Sequence, residues 1–274
     1  MGYLFDPDNW EWLFSGNNFW FLLRGFWINI QIASVAMVLS LTIGLLLALL
    51  RVSTRRVLSR VAGLWVDVWR NLPLIFTILY FFLVMPESWR DAYERVVPAW
   101  FPTAFQTPFF LAAVIGLTLY NSAVLAEIMR AGIVSLERGQ GEAAASIGLR
   151  HWQAMRLVVL PQGLRRMVPA TVSQLITLTK DTTLVSIIGI QEVMRHARIV
   201  VSTSGSPFLG TGVDAPLLQV FLTVGIMFVI VNLALSRLSR RLEVRERRRT
   251  GVQVEKVEGL EDQLALQTAL PNGR

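Results

Sequence analysis

The chain has 274 residues, of which 53% are apolar and only 16% charged, with a mean hydropathy of +0.50 and a formal charge of +7. Soluble domains average about 25% charged residues, so this composition argues against a water-soluble enzyme, and the basic balance points to a membrane surface more than to nucleic acid. There is no cysteine, which removes disulfides, thiol catalysis and thiolate metal sites and leaves the compartment unread.

Residues 1–24 carry Asp6, Asp8 and Glu11 and no basic residue before Arg24. That is the reverse of a secretory signal, which starts basic. Trp10, Trp12, Phe14, Phe19 and Trp20 mark an interfacial, aromatic-belt segment. Residues 26–50 hold no charge and exceed the roughly 20 residues that a bilayer requires. Arg51, Arg55, Arg56 and Arg60 follow, so the exit of this first span is cytoplasmic and the N-terminus external. An approach helix runs to about Arg70, and a second span over 71–85 is started or kinked by Pro73. Residues 86–108, with Glu87, Asp91 and Glu94 against Arg90 and Arg95, read as an external loop with a short amphipathic helix.

A third span covers 109–128, and the loop 130–167 carries six arginines, so it is cytoplasmic. A fourth span, 167–189, is interrupted by Lys180 and Asp181. Residues 191–215 form an external loop rich in Ser, Gly and Pro. The fifth span, 216–236, ends in Arg237, Arg240, Arg241, Arg245 and Arg247 to Arg249. The expectation is an all-α integral membrane protein with five transmembrane helices and a cytoplasmic coupling-helix loop. It divides into an external or interfacial segment 1–24, a transmembrane domain 25–245 and a cytoplasmic tail 246–274. A short helix is possible over 260–270, and no internal repeat is evident.

The loop holds Glu142, Ala143, Ala144, Ala145, Ser146, Ile147 and Gly148, then nine residues, then Val158-Val159-Leu160-Pro161. Alanine favours helix with almost no bulk, and glycine permits a turn that a Cβ resists. The stretch therefore reads as a short helix with Glu142 near its start, a break at Gly148, and a second short helix that Pro161 ends. A compact, small-faced helix of this kind fits a groove on another protein.

This spacing resembles the EAA loop of bacterial ABC-importer permeases: Glu-Ala-Ala, three residues, Gly, nine residues, an aliphatic, any residue, Leu-Pro. The flanks Asn121-Ser122-Ala123, Ala126-Glu127-Ile128, Arg130-Ala131-Gly132-Ile133 and Lys180-Asp181-Thr182-Thr183, with Arg70-Asn71-Leu72-Pro73-Leu74, are similar to the polar amino-acid subfamily over about 17–245. The resemblance implies a bacterial inner-membrane permease subunit paired with a second permease, identical or homologous. It further implies separate ATPase subunits docked on Glu142, Ala143, Ala144 and Gly148, with Leu160 and Pro161 anchoring the loop, and an external solute-binding protein that delivers a polar amino acid.

No Gly-x-x-x-x-Gly-Lys-Ser/Thr occurs, and Gly139-Gln140-Gly141 lacks the lysine, so any ATP chemistry belongs to a partner. His151 and His196 are the only histidines and neither has a partner at metal-ligand spacing; no cofactor is expected. Only two of the 26 basic residues are lysines, and Lys180 lies within a span beside Asp181. An ionisable residue there marks a functional site by default. Two readings stand: a structural ion pair, with Glu127 as one partner, or contact with substrate in a polar pathway that includes Thr182. Arg70 is either a snorkelling interfacial arginine or a pathway residue. Asn121 and Ser122 either hydrogen-bond between helices or face a polar cavity. A channel or secondary transporter is the competing class, with Glu127 and Asp181 as its only ion-coupling acids; a membrane enzyme lacks any catalytic set.

Overall fold

The computed structural model describes residues 6–136, 138–203 and 214–250. Among these the chain is helical throughout. After two short turns (Pro7–Trp10 and Glu11–Phe14), α1 runs Asn18–Arg51, α2 Arg56–Asn71, α3 Leu74–Val84, α4 Glu87–Val96 and α5 Pro108–Val134. The loop helix α6 is Arg138–Ser146, α7 is Leu160–Asp181, α8 is Val193–Thr203 and α9 is Leu217–Thr250. The region 260–270 lies outside the described residues, as does most of 203–212.

At about 1.5 Å per residue, α1 is about 51 Å long and exceeds a hydrocarbon core of about 30 Å. Three helices among the described residues, α1, α5 and α9, are long and apolar enough to cross a membrane. The expected second span is a pair, α2 and α3, bent by 98° at Leu72-Pro73. Proline lacks the N–H needed to continue α2, and Leu72 before it is held extended. The amphipathic α2 therefore turns away from the 11-residue α3, which at about 16 Å is too short to cross alone. The expected fourth span also differs from a plain apolar helix. Helix α7 contains Pro169, runs into a tight 3-10 segment over Thr182–Ile188, and stops at Gly189 in the left-handed region (φ +87°).

Helix α5 is the central post. Its Phe110, Ala113, Leu117 and Leu125 are buried with Ile32, Ala36 and Met37 of α1, Ile78 of α3 and Leu178 of α7. A second apolar cluster joins Leu22 and Phe26 of α1 to Val193, Ala197 and Val200 of α8 and Val220 and Val224 of α9. Trp12, expected in an interfacial belt, is instead fully buried in this cluster. Phe14 and Trp20 remain exposed, as an interfacial position requires.

Candidate functional site: the loop helix and its supports

Helix α6 begins at Arg138, so Glu142 stands a full turn inside it, past the unpaired N–H groups at the helix start. Its side chain is exposed and pairs with no cation among the described residues. Ala144 turns inward and is buried; Ala143, Ala145 and Ser146 face out. Gly148 closes the helix at φ +84°. Its N–H donates to the carbonyl of Ala145 (2.9 Å) and the N–H of Leu149 to that of Ala144 (3.1 Å). These bonds satisfy carbonyls that the helix end leaves open, and an L side chain at Gly148 is strained in this conformation. Nothing lies within 4 Å of a Cβ built there, so the position is open to a partner.

The chain resumes at His151, where the Gln153 side chain accepts the N–H of Arg150 (2.9 Å). Pro161 does not end this helix. Residues Met155–Val159 form one π-helical turn, with the N–H of Leu160 reaching the carbonyl of Met155, and Pro161 lies in the first turn of α7. The wider turn accommodates a residue that has no N–H and whose ring crowds the carbonyl four positions back. Leu160 and Pro161 are both half-buried there.

The loop is clamped at its base by two glycines that bracket it, Gly132 on α5 and Gly163 on α7. A Cβ at Gly132 would lie 2.8 Å from the Gly163 carbonyl oxygen, and one at Gly163 would lie 3.1 Å from Ile133 Cα. Backbone touches backbone here, a close approach suited to helices packing in lipid. Around the loop, Ile147 (77% exposed), Trp152 (64%) and Leu157 (62%) present apolar surface with no cover. None of the three is a fixed position of the loop motif, so the motif spacing alone does not mark them.

The expected pathway residues do not converge. Glu127 is taken by arginines: Arg51 at the end of α1, and Arg130, whose Nε lies 3.0 Å from Oε1, with Arg70 acting from further off. It is therefore part of an ion cluster level with Arg51 and is no partner of Lys180. Arg70 itself is exposed at the α2–α3 bend. Asn121 is fully buried, donates to the Leu117 carbonyl (2.8 Å) and accepts from Gln174 of α7 (2.7 Å). Ser122, also buried, donates to the carbonyl of Leu119 (3.0 Å). Thr182 belongs to a different cluster. Asn29 of α1 donates to Thr182 Oγ1 (3.0 Å) and to Glu192 Oε2 (2.9 Å), and accepts the N–H of Val193 (3.1 Å).

Glu192 is fully buried and caps α8 by accepting the N–H of Arg195 (3.0 Å); burial pushes its carboxyl above the ordinary range. His196 one turn on hydrogen-bonds through Nδ1 to the carbonyl of Phe21 (2.6 Å) and stacks on the Phe21 ring; burial holds its imidazole below the ordinary value. Asn29 and Glu192 were missed in the sequence because 163 residues separate them and no local pattern links them. Lys180 is exposed, Asp181 half-buried, and Ser173, Thr177 and Lys180 follow one another along the uncovered side of α7. No group of three or more metal-ligating side chains occurs among the described residues.

The fold and the loop define a polytopic helical membrane protein with a protruding helix at one face. The family model described as "Binding-protein-dependent transport system inner membrane component" matches residues 40–248, and the chain belongs to that family. It is thus the membrane-spanning permease subunit of a binding-protein-dependent ABC importer, and ATP hydrolysis falls to separate subunits. The probable glutamine ABC transporter permease protein of Bacillus subtilis (strain 168) is 36% identical over 235 residues, covering 85% of this chain and 97% of the relative. The glutamate/aspartate import permease protein of Escherichia coli O157:H7 is 31% identical over 225 residues, 82% and 93% of the two chains. A crystal structure of an amino acid ABC transporter with histidines superposes with a TM-score of 0.64 at 26% identity, covering 82% of this chain and 94% of that one. The inward-facing methionine transporter MetNI, at 21% identity and a TM-score of 0.61, shares the fold.

Proposed function

We propose that this permease carries a polar amino acid inward, and that α6 with Gly148 is the contact through which an ATPase subunit drives it. The exposed small face of α6, closed by a left-handed glycine and ringed by Ile147 and Trp152, is the observation that carries this reading. Glu142 supplies a charge for a basic group on the ATPase; Ala143 and Ala144 keep the helix slim; Leu160, Pro161 and the Gly132–Gly163 crossing tie it to the spans. Movement of the docked ATPases then reaches α5 and α7 as a rigid-body shift between two arrangements. The amino-acid substrate is supported by the names of the relatives, and an external solute-binding protein by the family description.

Five crossings with the N-terminus outside fit the arginine-rich segments after α1, between α5 and α7 and at the end of α9. Helix α7 at about 33 Å is long enough to be one of them, with the bent α2–α3 pair as another. Two permease subunits enclose the pathway. The uncovered side of α7 that carries Ser173, Thr177 and Lys180, beside Asp181, would line it. Asn121, Ser122 and Thr182 support that wall from behind, while Glu127 and Arg70 belong to the inner ion cluster with Arg51 and Arg130.

The test is Gly148→Val in the complete transporter. A β-branched residue resists φ +84° and adds bulk at the contact. Membrane abundance should stay at the wild-type level while uptake and ATPase co-purification fall together. Wild-type uptake by this variant would remove the loop from the mechanism.

A further inference from the structure

One stripe of α1 carries Trp20, Arg24, Trp27 and Gln31, spaced four, three and four residues apart. With Pro102 from the α4–α5 connection and Val231 of α9 they line a groove of about 950 Å³. Trp20 and Trp27 are each 60% exposed, and the Arg24 guanidinium meets no carboxylate or carbonyl among the described residues. The depth of this stripe follows from helix geometry. Arg24 and Arg51 stand about 40 Å apart along α1, close to the full thickness of a bilayer with its headgroups. With Arg51 at one headgroup layer, Arg24 lies at the other. Trp20 then sits among headgroups, and Trp27, about 4.5 Å further in than Arg24, at the hydrocarbon edge.

We propose that this groove holds one anionic phospholipid. Its phosphate sits on Arg24, a planar fork suited to bidentate phosphate binding. The indole of Trp20 lies against the headgroup and that of Trp27 against the glycerol region, and one acyl chain lies between α1 and Val231 of α9. A lone cation at a headgroup layer, in a groove whose other lining residues are apolar except Gln31, has the charge and shape of that occupant. Three segments converge on it, so the bound lipid also splints α1 to α9 and to the connection before α5.

The experiment uses the full-length chain, delipidated in detergent, and follows its melting temperature. Dioctanoyl phosphatidylglycerol should raise the wild-type melting temperature by about 2–4 °C or more. Dioctanoylglycerol, which lacks the phosphate, and inorganic phosphate, which lacks the chains, should not. Arg24→Gln should abolish the rise, Arg24→Lys should keep part of it, and Trp27→Ala should reduce it. Native mass spectrometry should find one phospholipid retained on the wild type and none on Arg24→Gln. The proposal is overturned by an equal rise with Arg24→Gln, by an equal rise with dioctanoylglycerol or phosphate alone, or by no rise in the wild type.

Discussion

Replacing Gly132 by alanine adds one methyl group where α5 crosses α7 at the base of the loop helix. In open space a helical Gly→Ala change gains about 0.5–1 kcal/mol. At Gly132 the new Cβ would run into Met167 Cγ and lie 2.8 Å from the carbonyl oxygen of Gly163. The methionine can swing away; the carbonyl is backbone and moves only if the helices part. Overpacking of this kind costs about 1–3 kcal/mol, so a net loss of about 1–2 kcal/mol is expected. Gly163→Ala is the intermediate case: its nearest contacts are 3.1–3.3 Å, so the propensity gain and the crowding cost roughly cancel. At Gly225 a Cβ meets nothing within 4 Å, and alanine there should be neutral or stabilising. Tryptophan-fluorescence melting in detergent reads the series, at about 2–4 °C per kcal/mol for a chain of this size. The expected order of stability is Gly225→Ala, Gly163→Ala, then Gly132→Ala. A Gly132→Ala protein that melts with or above Gly225→Ala would refute the close-crossing argument.

Lys180→Met should leave melting and membrane abundance near wild type, because Lys180 is exposed, while uptake falls; equal losses of abundance and uptake would assign it a structural role. Asn121→Ala should cost about 1–2 kcal/mol by orphaning the Gln174 amide between α5 and α7, seen as a lower melting temperature. His196 has its folded-state pKa lowered by burial, so the unfolded chain binds the proton first as pH falls below about 6.5. Its stabilisation is present above that pH and lost below it: the margin of wild type over His196→Gln should be wider at pH 7.5 than at pH 5.5. A reporter after Ser53 or at Gly141 should read cytoplasmic, and one in 88–104 or 203–212 external; a cytoplasmic reading at 203–212 would break the five-span topology.

The loop was legible in the sequence because its constraints are local. Three alanines, a glycine at a fixed distance and a proline set a helix, a left-handed stop and a second start within 20 residues. Even so, Pro161 was misread as a terminator, since one π turn over Met155–Val159 lets the helix pass through it. The long spans α1, α5 and α9 declared themselves by their long apolar runs. The α2–α3 bend was signalled by Pro73, but its angle was not, because packing of Val66 and Ile78 on α5 sets it. Contacts across the fold were out of reach. Glu192 falls in the stretch 191–215 that reads as an external loop, and only the fold encloses it with Asn29 and the start of α8; Asn121 meets Gln174 only when α7 packs alongside. Lys180 drew attention by its rarity and by its place within a span beside Asp181; it is exposed and forms no salt bridge among the described residues.

A cysteine-free chain makes the central claim directly testable, since one introduced thiol is unique within it. Ile147→Cys, on the exposed rim of α6, should cross-link to the ATPase subunit through a short maleimide–benzophenone reagent, which attaches to the one thiol and on illumination inserts into a neighbouring C–H bond, when the whole transporter is assembled in membranes. Trp89→Cys, on α4 at the proposed external face, should not. A cross-link from Trp89→Cys to the ATPase, or none from Ile147→Cys in a transporter that still takes up substrate, would contradict the assignment of α6 as the coupling helix.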